Sequence, residues 1–124
     1  MANQPLKGIA RLAAAWRNSR AGFRDIWRGE EAFRLEMAVW IISVPVAFVL
    51  ADGVFQAAVL IAAGLLLLIV EVLNSAIEAV VDRIGAERHD LSRMAKDLGS
   101  LAVLLASLLL GLLWLAALWQ WVFA

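Results

Sequence analysis

The chain contains no cysteine, which excludes disulfide bonds, thiolate nucleophiles and sulfur-ligated metals. It has one histidine, His89, too few for a histidine-rich metal centre, so any bound ion must be held by oxygen. No glycine-rich phosphate loop of the Gly-x-x-x-x-Gly-Lys-Ser/Thr type occurs, nor any protein-kinase glycine loop. The two common nucleotide-binding classes are therefore excluded. Basic residues are missing between Arg34 and Arg83 and again after Lys96. The basic amino-terminal stretch lacks a signal-peptide apolar core, so no cleavable targeting segment is expected. No useful internal repeat is present.

Apolar residues dominate. They make up 64% of the 124 residues, with a mean hydropathy of +0.83, against about 45–50% in soluble domains. This composition identifies an integral membrane protein, expected to be all-α. The first of three predicted spans has 15 uncharged residues, Met37 to Ala51. That is too short for a hydrocarbon core of about 30 Å, so the span should extend over about 32–51, with Glu36 at its mouth and Pro45 bending it. After the Asp52-Gly53 turn signal, the second covers about 54–83 and should project beyond the bilayer. A loop over 84–93 leads to the third, about 94–121, with Trp114, Trp119 and Trp121 as an aromatic belt. The whole of 1–124 reads as a single membrane domain.

The 11 Lys and Arg residues fall in two blocks, Lys7 to Arg34 and Arg83 to Lys96. Three spans put both blocks on one side, cytoplasmic by the positive-inside rule, with the amino terminus there too. Over about 5–29, Ile9, Leu12, Ala13, Trp16, Phe23 and Trp27 gather near one helix face, with Lys7, Arg11, Arg17 and Arg28 elsewhere. This predicts an amphipathic surface helix on the anionic leaflet, although Arg20 and Gly22 interrupt the pattern. A loosely ordered basic arm is the plainer alternative.

Acids accumulate where the second span leaves the membrane. Glu71, Asn74, Glu78 and Asp82 fall within about 80° of one another on a helix. Glu71 directly follows an 18-residue uncharged run from Gly53 to Val70, and an acid at such depth is a functional candidate by default. Glu30, Glu31, Glu36 and Asp97 converge on the same interface. Carboxylates with an amide suit magnesium, which takes one or two protein carboxylates beside substrate phosphates, and Lys96 adds a cation for phosphate. The plainer readings are solvated charge for Glu30, Glu31, Asp82, Glu87 and Asp90, an interhelical hydrogen bond for Asn74, an ordinary surface residue for His89 and interface anchoring for the tryptophans.

The run Glu71-Val-Leu-Asn-Ser-Ala-Ile-Glu-Ala-Val-Val-Asp-Arg-Ile-Gly, then Glu87-x-His89-x-Leu-Ser and Ala95-Lys-Asp-x-Gly-Ser100, resembles the small integral-membrane diacylglycerol kinases of Gram-negative bacteria. Glu30-x-Ala-Phe-Arg-x-Glu36 carries the likeness upstream, so it covers nearly the whole chain. The resemblance implies an inner-membrane homotrimeric helical bundle that uses ATP and Mg2+ to phosphorylate the primary hydroxyl of diacylglycerol, with no nucleic-acid partner. It implies Glu71 as general base and Glu30 and Glu78 as magnesium ligands. Arg11, Asn18, Glu30, Asn74, Glu78, Glu87, His89, Lys96 and Asp97 would contact ATP. Arg11, Glu36, Glu71, Ser100 and Trp114 would contact the lipid. Arg88, Leu35 and Asn18 depart from the family pattern at nucleotide and headgroup contacts. A sister branch of undecaprenol kinases is one alternative. Another, from a different class, is a small cation- or proton-coupled transporter, which would place an acid near the bilayer midplane rather than at one interface.

Overall fold

The fold is described by a computed structural model over residues 5–124, and residues 1–4 of the single-domain reading lie outside the described residues. It is all-helical among these residues, with α1 (Gly8–Gly29), α2 (Glu31–Leu50), α3 (Val54–Ile84) and α4 (Asp90–Phe123). The last three are long and apolar enough to cross a membrane. At about 1.5 Å per residue, the 31 residues of α3 span about 46 Å, so one end must leave a 30 Å hydrocarbon core.

Each junction has a local cause. Between α1 and α2 only Glu30 is extended, with φ −123° and ψ 101°. The Arg34 guanidinium donates back to the Trp27 carbonyl at 2.5 Å, satisfying a carbonyl that the end of α1 would otherwise leave open. Ile26, Phe33 and Leu68 form a buried cluster beneath this elbow, with Met37 and Trp40 packed on it. Between α2 and α3, Gly53 takes φ +94°, which a residue bearing a Cβ rarely adopts. The Asp52 N–H donates to Gln56 Oε1 at 2.5 Å and tightens the same turn. α4 begins at Asp90, ahead of the start read from its apolar run, because His89 Nδ1 caps it by accepting from the Leu91 N–H at 3.1 Å.

α3 is the central helix, packed against both α2 and α4, which meet each other only narrowly. Contacts between α3 and α4 run antiparallel, with Asp82 opposite Lys96, Leu60 opposite Trp114 and Gln56 opposite Gln120. Small residues make the close approaches. Ala47, Ala57, Ala63, Gly64, Gly99, Ala106 and Ala117 are all buried, as expected where helices associate without a hydrophobic drive between them. By contrast Leu65, Ile69, Leu105, Leu112 and Leu115 stand exposed along the sides of the bundle. Pro45 lies inside α2, where its ring removes one helical N–H donor.

Candidate active site

The polar groups collect at the end of the bundle formed by the α1–α2 elbow, the carboxyl-terminal part of α3 and the start of α4. Glu71 is half-buried on α3, and the carboxyl group of Glu36, from α2, lies against it. Glu36 Oε2 is buried without a hydrogen-bond partner among the described residues, so the acid pair has unused acceptor capacity at the edge of the apolar bundle. One turn beyond, Asn74 Nδ2 donates to Glu78 Oε1 at 3.4 Å, a long bond within α3 rather than between helices. Asn74 Oδ1 is likewise buried and unpartnered. Both half-buried residues therefore hold polar atoms that a bound molecule would satisfy.

Gly99 explains how Asn74 reaches α4. A Cβ on Gly99 would collide with Asn74 Oδ1, so the amide can stand there only against a glycine backbone. Gly99→Ala is expected to destabilise the protein by about 1–3 kcal/mol through overpacking, measured as a lower unfolding midpoint in detergent. Gly22→Ala serves as the control, since a Cβ there meets nothing within 4 Å and replaces a helix-weakening residue. An equal effect from both substitutions would remove Gly99 from the site.

On the outer side, Lys96 Nζ donates to Asp82 Oδ1 at 2.8 Å and Arg93 Nη1 to Asp97 Oδ2 at 2.8 Å, both exposed pairs. Exposed pairs of this kind contribute little to stability, which leaves Lys96 and Asp97 free to exchange partners for a ligand. The structure thus brings together Glu36 with Glu71, Asn74 with Glu78, and Lys96 with the stripe residue Asp82. Glu30 stands at the elbow, half-buried, while Arg11, Asn18, Glu87 and Ser100 remain exposed and His89 is engaged as a helix cap. Trp114 lies deeper, its Nε1 donating to the Leu60 carbonyl at 3.3 Å.

Arg93 enters the site's surroundings without a sequence expectation, and Gly99 and Arg34, though part of the motifs that carry the family likeness, have no role assigned to them. The four-residue spacing of Arg93 and Asp97 was a readable signal. The meeting of Gly99 with Asn74, made between residues 25 positions apart on different helices, left none.

Among the described residues of one chain, no three acidic or imidazole groups converge as a ready metal cage. Magnesium does not require one, because it takes one or two carboxylates and fills its remaining positions with phosphate oxygens and water. Glu78 and Glu30, both half-buried carboxylates, are oxygen donors of the kind that limited demand calls for.

Next to the acid pair, an apolar cavity of about 530 Å³ opens between α2 and α4 over α3. Among the described residues, Glu36 is the only ionisable group in its wall.

Comparison with known proteins adds an independent line. The sequence profile of the family described as prokaryotic diacylglycerol kinase matches residues 17–118. A diacylglycerol kinase from Pseudomonas aeruginosa is 45% identical over 117 residues, covering 92% of this chain and 95% of the relative. One from Escherichia coli K12 is 44% identical over 113 residues, covering 91% and 93%. A third, from Haemophilus influenzae, is 39% identical over 107 residues, covering 86% and 91%.

Proposed function

This chain belongs to the prokaryotic diacylglycerol kinase family, and from that premise we propose that it transfers the ATP γ-phosphate to the primary hydroxyl of diacylglycerol, giving phosphatidic acid and ADP. The reaction takes place at the cytoplasmic face of a bacterial inner membrane. The observation that carries the chemistry is the half-buried Glu71 carboxyl, paired with Glu36 where the apolar part of α3 ends.

In this reading Glu71 accepts the proton of the lipid hydroxyl as its oxygen bonds to the γ-phosphorus. The bond from that phosphorus to the β–γ bridging oxygen breaks, and ADP leaves with the electron pair. Glu36 holds the Glu71 side chain in place and offers an oxygen to the glycerol end of the lipid. Glu30 and Glu78 would hold magnesium, which would supply charge neutralisation to the ATP phosphates. Asn74 orients Glu78 and the nucleotide. Lys96 releases Asp82 for a phosphate oxygen, while Asp97, Glu87, His89, Asn18 and Arg11 contact the rest of ATP. Ser100 and Trp114, with Arg11, contact the lipid. Glu71 lies seven residues deeper along α3 than Glu78, about 10 Å, so a base facing lipid and a metal ligand facing water are each at a workable depth.

The proposed assembly is a homotrimer, with α1 lying as an amphipathic helix on the anionic leaflet. Exposure of Ile9, Leu12 and Trp16 on α1, with Arg17, Arg24 and Arg28 on the same helix, supports that placement. Exposure of Lys96, Asp97 and Glu87 in a single chain supports a site completed by a neighbouring protomer.

Offering diacylglycerol and undecaprenol separately, with ATP and magnesium in mixed micelles, tests the acceptor. We expect phosphatidic acid to form at a kcat/KM at least about tenfold above that for undecaprenol, a difference of about 1.4 kcal/mol in transition-state binding. The reverse preference would move the protein to the undecaprenol branch.

A further inference from the structure

Arg34 grips the backbone on both sides of Glu30. Its own N–H donates to the Glu30 carbonyl at 3.3 Å, while its Nη1 donates to the Trp27 carbonyl at 2.5 Å and reaches the Arg28 carbonyl at 3.5 Å. The Glu30 N–H in turn donates to the Ile26 carbonyl at 2.9 Å. Glu30 is thus the last donor of α1 and the first acceptor of α2, one extended residue between two helices with a cation closing the loop around it. The carboxyl end of a helix carries partial negative charge, which suits a guanidinium. Acids stand close in sequence at Glu30, Glu31 and Glu36, yet among the described residues the ion pairs are Arg93–Asp97 and Lys96–Asp82, and Arg34 joins neither. Its donors go to helix carbonyls instead.

This grip matters because α1 is mounted at one end. Ile26, in its last turn, is its one buried residue. That side chain sits in the cluster with Phe33 of α2 and Leu68 of α3, and the Phe23 ring meets the Phe33 ring edge-on with centroids 6.1 Å apart. Apolar burial holds the end of α1 down but has no direction of its own, so it tolerates rotation. A hydrogen bond is directional. The Arg34–Trp27 bond therefore fixes the angle of a rod that runs about 30 Å from Glu30 back to Ala10, 20 residues away. A turn of about 10° at the elbow would carry Ala10 through about 5 Å and would reorient Glu30 with it.

We infer that Arg34 is a positioning residue for Glu30: its grip sets the angle between α1 and α2, and so the direction in which Glu30 presents its carboxyl to magnesium. The inference rests on the kinase reading, in which Glu30 and Glu78 hold that ion, and adds a residue that acts through the backbone rather than by touching the ion. An ion shared between the elbow and α3 is sensitive to where the elbow stands, because magnesium demands oxygens at about 2.0–2.1 Å in near-octahedral array.

The test is a cycle of Arg34→Met, Glu30→Gln and the two together, read as manganese binding in the presence of a non-hydrolysable ATP analogue, which needs no turnover. Methionine keeps an unbranched stem and a good helix propensity while removing every donor. Arg34→Met alone should weaken manganese binding about fivefold, within the range that one net hydrogen bond commands. Added to Glu30→Gln it should weaken binding by less than about a further twofold, because both changes act on one contact. Arg34→Lys, which keeps a cation for the Trp27 carbonyl but not the planar fork, should fall between Arg34→Met and the parent. Full additivity of the two losses would overturn the inference by making Arg34 an independent contact, to phosphate for instance. So would unchanged manganese binding in either single variant. Since the chain has no native cysteine, nitroxide labels at Ala10→Cys and Ala102→Cys, both exposed positions, report the angle of α1 in protein diluted with unlabelled chains. The distance distribution should be wider by at least about 3 Å in Arg34→Met than in the parent, the lever arm being about 30 Å. Identical distributions would overturn the inference whatever the metal result. A parent chain that binds manganese with the analogue but transfers no phosphate to lipid would remove the kinase reading, with the cycle and the label distances still deciding the role of Arg34.

Discussion

Glu71→Gln is expected to lower phosphate transfer to diacylglycerol by about 10²–10⁴-fold, the range a positioned general base contributes. The amide has the shape of the carboxyl and keeps an oxygen toward Glu36, so folding should be retained. It cannot accept the hydroxyl proton. Because the group acts on the acceptor, the loss should fall on kcat while KM for ATP moves little. A variant retaining more than about a tenth of parental kcat would show that another group takes the proton. Glu36 would then be the first to test, since its carboxyl lies against Glu71.

The second large effect belongs to Glu78. Its carboxyl accepts from Asn74 Nδ2 at 3.4 Å and stands one turn from the outer edge of the acid stripe. Glu78→Gln preserves a partner for Asn74 and removes the charge that would face the cation. We expect kcat to drop about 10²–10³-fold, the cost typical of losing one electrostatic contact to a reacting group. The magnesium concentration needed for half-maximal rate should rise as well. A fall in kcat with an unchanged magnesium titration would place Glu78 in nucleotide orientation rather than in metal binding.

Much of the architecture is legible because charge at membrane depth is expensive. Long uncharged runs therefore announce helices, and α2, α3 and α4 are the three apolar helices capable of spanning. The acid stripe was equally open to reading, because Glu71, Asn74 and Glu78 lie on one helix and their relation follows from its period alone. Contacts between helices were not. Whether Gly99 faces Asn74, or Trp40 lies on Gly64, depends on the register and rotation of one helix against another, and apolar residues all around a membrane helix carry no period to reveal either. The start of α4 at Asp90 escaped for a different reason. Its first turn is polar, and the His89 cap that fixes it is a local hydrogen bond invisible in the hydropathy pattern.

The groove between Glu36 and Trp114 combines both kinds of information. Its glycines are visible in the sequence but meaningless there, since Gly22 and Gly29 look no different and face open space. Only when α3 is packed between α2 and α4 does Gly64 become a seat for Trp40 and Gly111 a gap in a wall. The acid stripe thus lies on one helix, whereas the residues that line the groove are spread over three.

The central claim is that this chain moves phosphate from ATP to a membrane lipid through Glu71. Purified protein in mixed micelles, given γ-labelled ATP, magnesium and diacylglycerol, tests it most directly. The account predicts label in phosphatidic acid with the parent chain and essentially none with Glu71→Gln. Label that never enters lipid, together with proton or cation movement when the protein is reconstituted into vesicles, would contradict it and make the membrane acids a transport path.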